Sequence, residues 1–136
     1  MKTTILATLV VALFLTACGG GQTAARTPDS IVAAYKAAGL EAESPTAMGP
    51  GDYGPAPYVA KGVHFLIPSM CADCGGRAFV GTKEEIAALQ RYYVEMGKGS
   101  ALLFSWVFVT PDGKAMVQIN GDLPEDQAKK YEEALK

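Results

Sequence analysis

The stretch SMCADCGGR, Ser69 to Arg77, holds the residues whose type and spacing could do chemistry: Cys71 and Cys74, two residues apart. Such a pair serves as a redox centre, as half of a metal clip, or as a staple. Redox pairs place the first thiolate at a helix N-terminus, where the dipole and free N–H groups lower its pKa. Here Gly75 and Gly76 follow the pair, and "RAFV" then reads as a strand. Arg77 stands nearby, but one exposed arginine has only a modest effect in water. Structural zinc takes four ligands, usually from two such pairs. The chain has only 3 cysteines and 1 histidine, so Cys18 and His64 are all that remain. Met70 adds a thioether, and soft sulfur ligands select Cu(I). A soft-metal site would therefore draw on His64, Met70, Cys71 and Cys74. In an oxidising compartment the first reading is a disulfide. Closing so short a loop contributes about 2 kcal/mol.

The compartment is read from the opening residues, "MKTTILATLVVALFLTACGGG". Lys2 supplies a positive start and Ile5 to Leu15 an apolar run. That run is much shorter than the roughly 20 residues a spanning helix needs, so it reads as a secretory signal. Cleavage after Ala17 would place bulky Leu15 at −3, a poor fit to an ordinary site. Leu15-Thr16-Ala17-Cys18 instead resembles the lipobox of bacterial lipoproteins at every position. The resemblance implies removal of residues 1–17 and lipidation of Cys18. Two or more long acyl chains, at about 0.8 kcal/mol per buried CH₂, make a stable anchor. Gly19 after the cysteine mildly favours the outer membrane, where the cell has one. The expected location is extracytoplasmic.

Loss of Lys2 leaves 11 of the 12 basic residues against 14 acidic ones, a net charge of −3. No basic cluster remains to recruit nucleic acid or anionic lipid. Residues 18–27 form the lipidated cysteine and a flexible tether. The eight residues from Gly19 to Arg26 reach at most roughly 30 Å. Residues 28–136 suffice for a single core.

The elements that must position these residues are clearly punctuated. "TPDSIVAAYKAAGL" has Thr27 as N-cap, Pro28 in the first turn and Gly39 as the stop; Ile31, Val32 and Tyr35 form its apolar face. "GVHFLIP" and "RAFVG" read as strands flanking the cysteine loop. In "TKEEIAALQRYYVEMG", Thr82 and Glu85 make a capping box, Ile86, Leu89, Tyr93 and Met96 share a face, and Gly97 ends the helix. "ALLFSWVFVTPDGKAMVQIN" reads as a hairpin turning at Pro111-Asp112-Gly113. Its first strand is apolar on both faces, which suggests a central position. Asp122 is placed to cap a last helix whose buried stripe is Ala128, Tyr131 and Leu135. The order α-β-β-α-β-β-α, with an edge strand near Glu41, predicts a small single α+β domain. Its mainly antiparallel sheet would carry three helices packed on one face.

Other constellations point elsewhere than catalysis. No Ser-His-Asp context, P-loop or dinucleotide fingerprint stands in the chain. Asp122 and Glu125 suit helix capping, and Trp106 with its aromatic neighbours suits a core. The Gly- and Pro-dense segment Ser44–Tyr58 is too broken for a helix or central strand. Its Tyr53 and Tyr58 are the candidate ligand-loop residues, since long loops in compact domains are often functional.

"FLIPS", "GGRAFVG", "YYVEMGKGSALLFSWVFV" and "VQINGDLPEDQAKKYEEAL" together resemble a group of small bacterial lipoproteins often labelled stress proteins, from about Ser30 to Lys136. The resemblance implies no catalytic residues. The expectation is a lipid-anchored envelope protein that acts by binding or interaction, not as an enzyme and without a cofactor. Its partners would be the membrane, through the lipid, and a small molecule or an envelope protein. The alternative is a soft-metal (Cu(I) or Zn) or thiol–disulfide handling lipoprotein built on Cys71 and Cys74.

Overall fold

The computed structural model describes residues 25–136. The expected signal and the expected lipidation at Cys18 lie outside the described residues. The elements are α1 (Pro28–Ala37), β1 (Glu43–Ala47), β2 (Lys61–Leu66), β3 (Gly75–Val80), α2 (Lys83–Gly99), β4 (Ser105–Val109), β5 (Ala115–Asn120) and α3 (Glu125–Leu135). Short 3-10 turns occupy Pro50–Tyr53 and Ala101–Leu103. Among the described residues no helix is long and apolar enough to cross a membrane.

The five strands form one antiparallel sheet in the order β1-β2-β3-β5-β4. This is the expected small α+β domain, with β1 as the edge strand. The helix arrangement differs from the expectation of three helices on one face. Helices α1 and α3 cover one face, where Ile31, Val32, Tyr35, Ala128, Tyr131 and Leu135 meet Val63, Phe65, Ala78, Val117 and Ile119. Helix α2 covers the other, where Ile86, Leu89 and Tyr93 meet Phe79 and Met116. The strand period of two explains the split: β3 and β5 carry apolar residues at successive positions, so both faces need cover. Each fully buried large aliphatic or aromatic side chain contributes about 1.5–3 kcal/mol.

The helix starts follow the sequence. Thr27 and Thr82 each accept a hydrogen bond from the backbone three residues on, and Glu85 returns its carboxylate to the Thr82 N–H. Three local expectations change. Helix α3 starts with Pro124 at its N-cap, while the Asn120 side chain takes the Asp122 N–H at 2.8 Å, so Asp122 is no cap. Helix α2 runs past Gly97 to Gly99. Strand β4 is an outer strand, and its expected first residues form the 3-10 turn that exposes Leu102, Leu103 and Phe104. The Ser100 hydroxyl accepts the Leu102 N–H and holds that turn.

Candidate functional site

Antiparallel register places a polar row across the middle of the sheet. Thr46 on β1, His64 on β2, Arg77 on β3 and Gln118 on β5 lie opposite one another in succession. Because Val63, Phe65 and Ala78 point to α1 and α3, His64 and Arg77 point to the α2 side. Cross-strand partners lie close enough to interact directly. The Arg77 Nη1–H donates to Gln118 Oε1 at 2.9 Å. Gln118 is buried, whereas His64 and Arg77 are half-buried.

His64, Arg77 and Gln118 of this row form the floor of a cleft of about 420 Å³. Tyr93 and Met96 of α2 line one side, the apolar turn Ala101–Phe104 another, and Asp73, Asn120 and Asp122 the rim. Among the described residues no carboxylate lies within ion-pair distance of Arg77. A half-buried cation without a counter-charge is the chemical signature of the site. Burial lowers the His64 pKa, the Arg77 charge lowers it further, and Asp52 opposes both. Burial raises the Tyr93 pKa, with Arg77 pulling it back down. The imidazole therefore stays neutral and the phenol protonated at neutral pH, and both remain hydrogen-bond donors.

The structure joins Cys71 and Cys74 by a disulfide with an S–S distance of 2.06 Å. It lies within the β2–β3 connection, where the Ile67 N–H donates to the Cys74 carbonyl at 2.8 Å. The Glu41 carboxylate accepts the Ser69 N–H, tying this connection to the segment after α1. The four soft-metal residues are not brought together. Met70 packs towards the α1–α3 core while His64 faces α2, and the bonded sulfurs are not thiolates.

Tyr53 is buried, its hydroxyl donating to the Ala60 carbonyl and its ring packing on Phe79. Tyr58 is exposed and stands edge-on to Tyr53. Both line a larger, open groove of about 930 Å³ beside the starts of α1 and α2. In the sequence Arg77 reads only as a neighbour of the cysteines, which hides the polar row. The signal that could have found it is a polar residue at the centre of each of three apolar strands.

The fold is thus a small two-faced α+β sheet domain with a polar cleft under the end of α2. No family model matches the chain, and neither a curated protein nor a solved structure shows significant similarity to it.

Proposed function

We propose that this chain is a lipid-anchored, extracytoplasmic protein of the cell envelope whose domain works as a binding module. The lipobox-like Leu15-Thr16-Ala17-Cys18 supports the anchor. The single observation that carries the binding reading is the uncompensated Arg77 on the cleft floor. Clefts of about 300–1,000 Å³ with a few convergent polar groups are the usual form of a small-ligand site.

Two measurements test the reading. Cells grown with an alkyne-bearing palmitate label the wild-type chain and leave Cys18→Ser unlabelled; an unlabelled wild type overturns the anchor. Native mass spectrometry of the chain released from its membrane shows a small-molecule adduct that Arg77→Gln loses. Identical spectra for the two chains overturn the cleft as the binding surface.

A further inference from the structure

We infer that the Arg77 cleft receives the carboxylate of a small monoanion whose apolar body rests against the Leu103–Phe104 turn, an inference that rests on the binding-module reading. The donors define the head group. Arg77 presents a planar fork of N–H groups suited to bidentate contact with a carboxylate. Its bond to Gln118 Oε1 commits that oxygen, which leaves the Gln118 Nε2–H₂ group as a donor. His64 and the Tyr93 hydroxyl add neutral donors from β2 and α2. The cleft therefore offers several donors but one formal positive charge.

That balance sets the charge of the ligand. One guanidinium neutralises one negative charge, and His64 stays neutral beside it. Asp73 and Asp122 stand exposed on the rim and repel a second negative charge on the ligand. A phosphate near its dianionic form would bring that second charge. A monocarboxylate would not.

The walls set the body. Leu102 is 96% exposed, Leu103 50% and Phe104 44%, a run of apolar surface at the mouth of a polar cleft. Met96 continues it on the α2 side. Such an exposed apolar patch is unusual unless something covers it. A short aliphatic or aromatic chain attached to the carboxylate fits that surface, which the Gly121–Phe104 approach holds in place. A Cβ on Gly121 would run into the Phe104 carbonyl oxygen, so the turn sits tight against the end of β5.

The test is an NMR titration of the lipidated chain in detergent with butyrate, butyramide and inorganic phosphate at matched ionic strength. Butyrate is expected to shift the Arg77 Nε–H and Gln118 Nε2–H₂ signals saturably and to leave the Ile31 methyl signals, in the core under α1 and α3, unchanged. Butyramide and phosphate are expected to bind at least tenfold more weakly. Arg77→Gln should lose butyrate at least tenfold; Arg77→Lys, which keeps charge and stem but not the fork, should fold and bind at least threefold more weakly. Equal shifts with butyramide overturn the carboxylate assignment and leave a binding cleft in place. Tighter phosphate overturns the monoanion assignment alone. No shift in the cleft with any of the three overturns both the ligand class and the cleft's role in binding.

Discussion

Arg77 and Gln118 join strands β3 and β5 through an Nη1–H to Oε1 hydrogen bond of 2.9 Å, on the face of the sheet that α2 covers. The bond aims the guanidinium without neutralising it. Gln118→Glu keeps the shape and adds the missing counter-charge. The variant is expected to fold with stability within about 1 kcal/mol of wild type, since the cost of burying the new carboxylate roughly offsets its attraction to half-buried Arg77. Butyrate affinity should fall at least tenfold, because Arg77 is already satisfied. Unchanged affinity in Gln118→Glu would show that Arg77 is not the anion's partner.

How much of this site was legible in the sequence follows from how it is made. Each strand of the row could be read singly from its apolar alternation and turn residues, and the helix caps at Thr27 and Thr82 could be read letter by letter. Register could not. It is set by pairings such as His64 with Arg77 and Arg77 with Gln118, the latter 41 positions apart. The face that α2 covers is hidden for a related reason: a helix's apolar stripe says that it packs, not on which side of a sheet. Strand β4 reads as central because Trp106, Val107, Phe108 and Val109 are apolar in succession, yet it borders the sheet, with all five of its residues half-buried.

The pH dependence of stability should carry a His64 component. Burial first, then the Arg77 charge, hold the folded-state pKa below the unfolded value of 6.5, against a weak upward pull from Asp52. Between those two values the unfolded chain binds more protons, so stability rises with pH. The contribution is complete above pH 6.5 and is lost as pH falls from there towards the folded-state pKa. Solvent still reaches the ring, which limits the effect to under about 1 kcal/mol. Urea midpoints at pH 8 and pH 5 should differ less in His64→Gln than in wild type. An equal difference in the two proteins would exclude the histidine as the source.

The disulfide closes a four-residue loop, and breaking it should cost about 2 kcal/mol because the unfolded chain regains conformational entropy. The fold should survive reduction. The Ile67 N–H to Cys74 carbonyl bond and the Ser69 N–H to Glu41 carboxylate bond, both 2.8 Å, hold the same connection independently. Urea melts with and without reductant measure the difference. Thiol counting on the Cys18→Ser chain should find no reactive thiol before reduction and two after it, and free thiols at the start would argue against the pair being bonded in the native protein.

Gly75 and Gly76 belong to β3, not to a loose turn, and Gly75 lies against the backbone of β2. A Cβ there would run into the Phe65 carbonyl oxygen and the Leu66 Cα, and neither can yield without disturbing the ladder. Gly75→Ala is therefore expected to destabilise by about 2–3 kcal/mol through overpacking. Gly51, where an added Cβ meets nothing within 4 Å, supplies the control. Gly51→Ala should stay within about 0.5 kcal/mol of wild type. Equal urea midpoints for the two variants would mean that β2 and β3 do not approach so closely.

Tyr35 and Tyr131 give opposite answers to the same substitution. Their rings meet edge-to-face at 5.0 Å in the core beneath α1 and α3. The Tyr131 hydroxyl donates to the Glu41 carbonyl at 2.7 Å, whereas the Tyr35 hydroxyl is buried without a partner among the described residues. Burial, reinforced by Tyr131, also pushes the Tyr35 pKa far up, so the group stays neutral and only its hydrogen-bonding capacity is wasted. A buried polar atom left unpaired costs about 1–3 kcal/mol, while a made bond contributes about 0.5–1.5 kcal/mol. Tyr35→Phe keeps the ring contacts and removes the unpaired oxygen, so stability should hold or rise by about 1 kcal/mol. Tyr131→Phe should lose about 1 kcal/mol, because the Glu41 carbonyl loses its donor. Urea melts of both variants decide the matter, and a loss in Tyr35→Phe as large as that in Tyr131→Phe would show that the Tyr35 hydroxyl is satisfied, by a bound water or by a shifted neighbour.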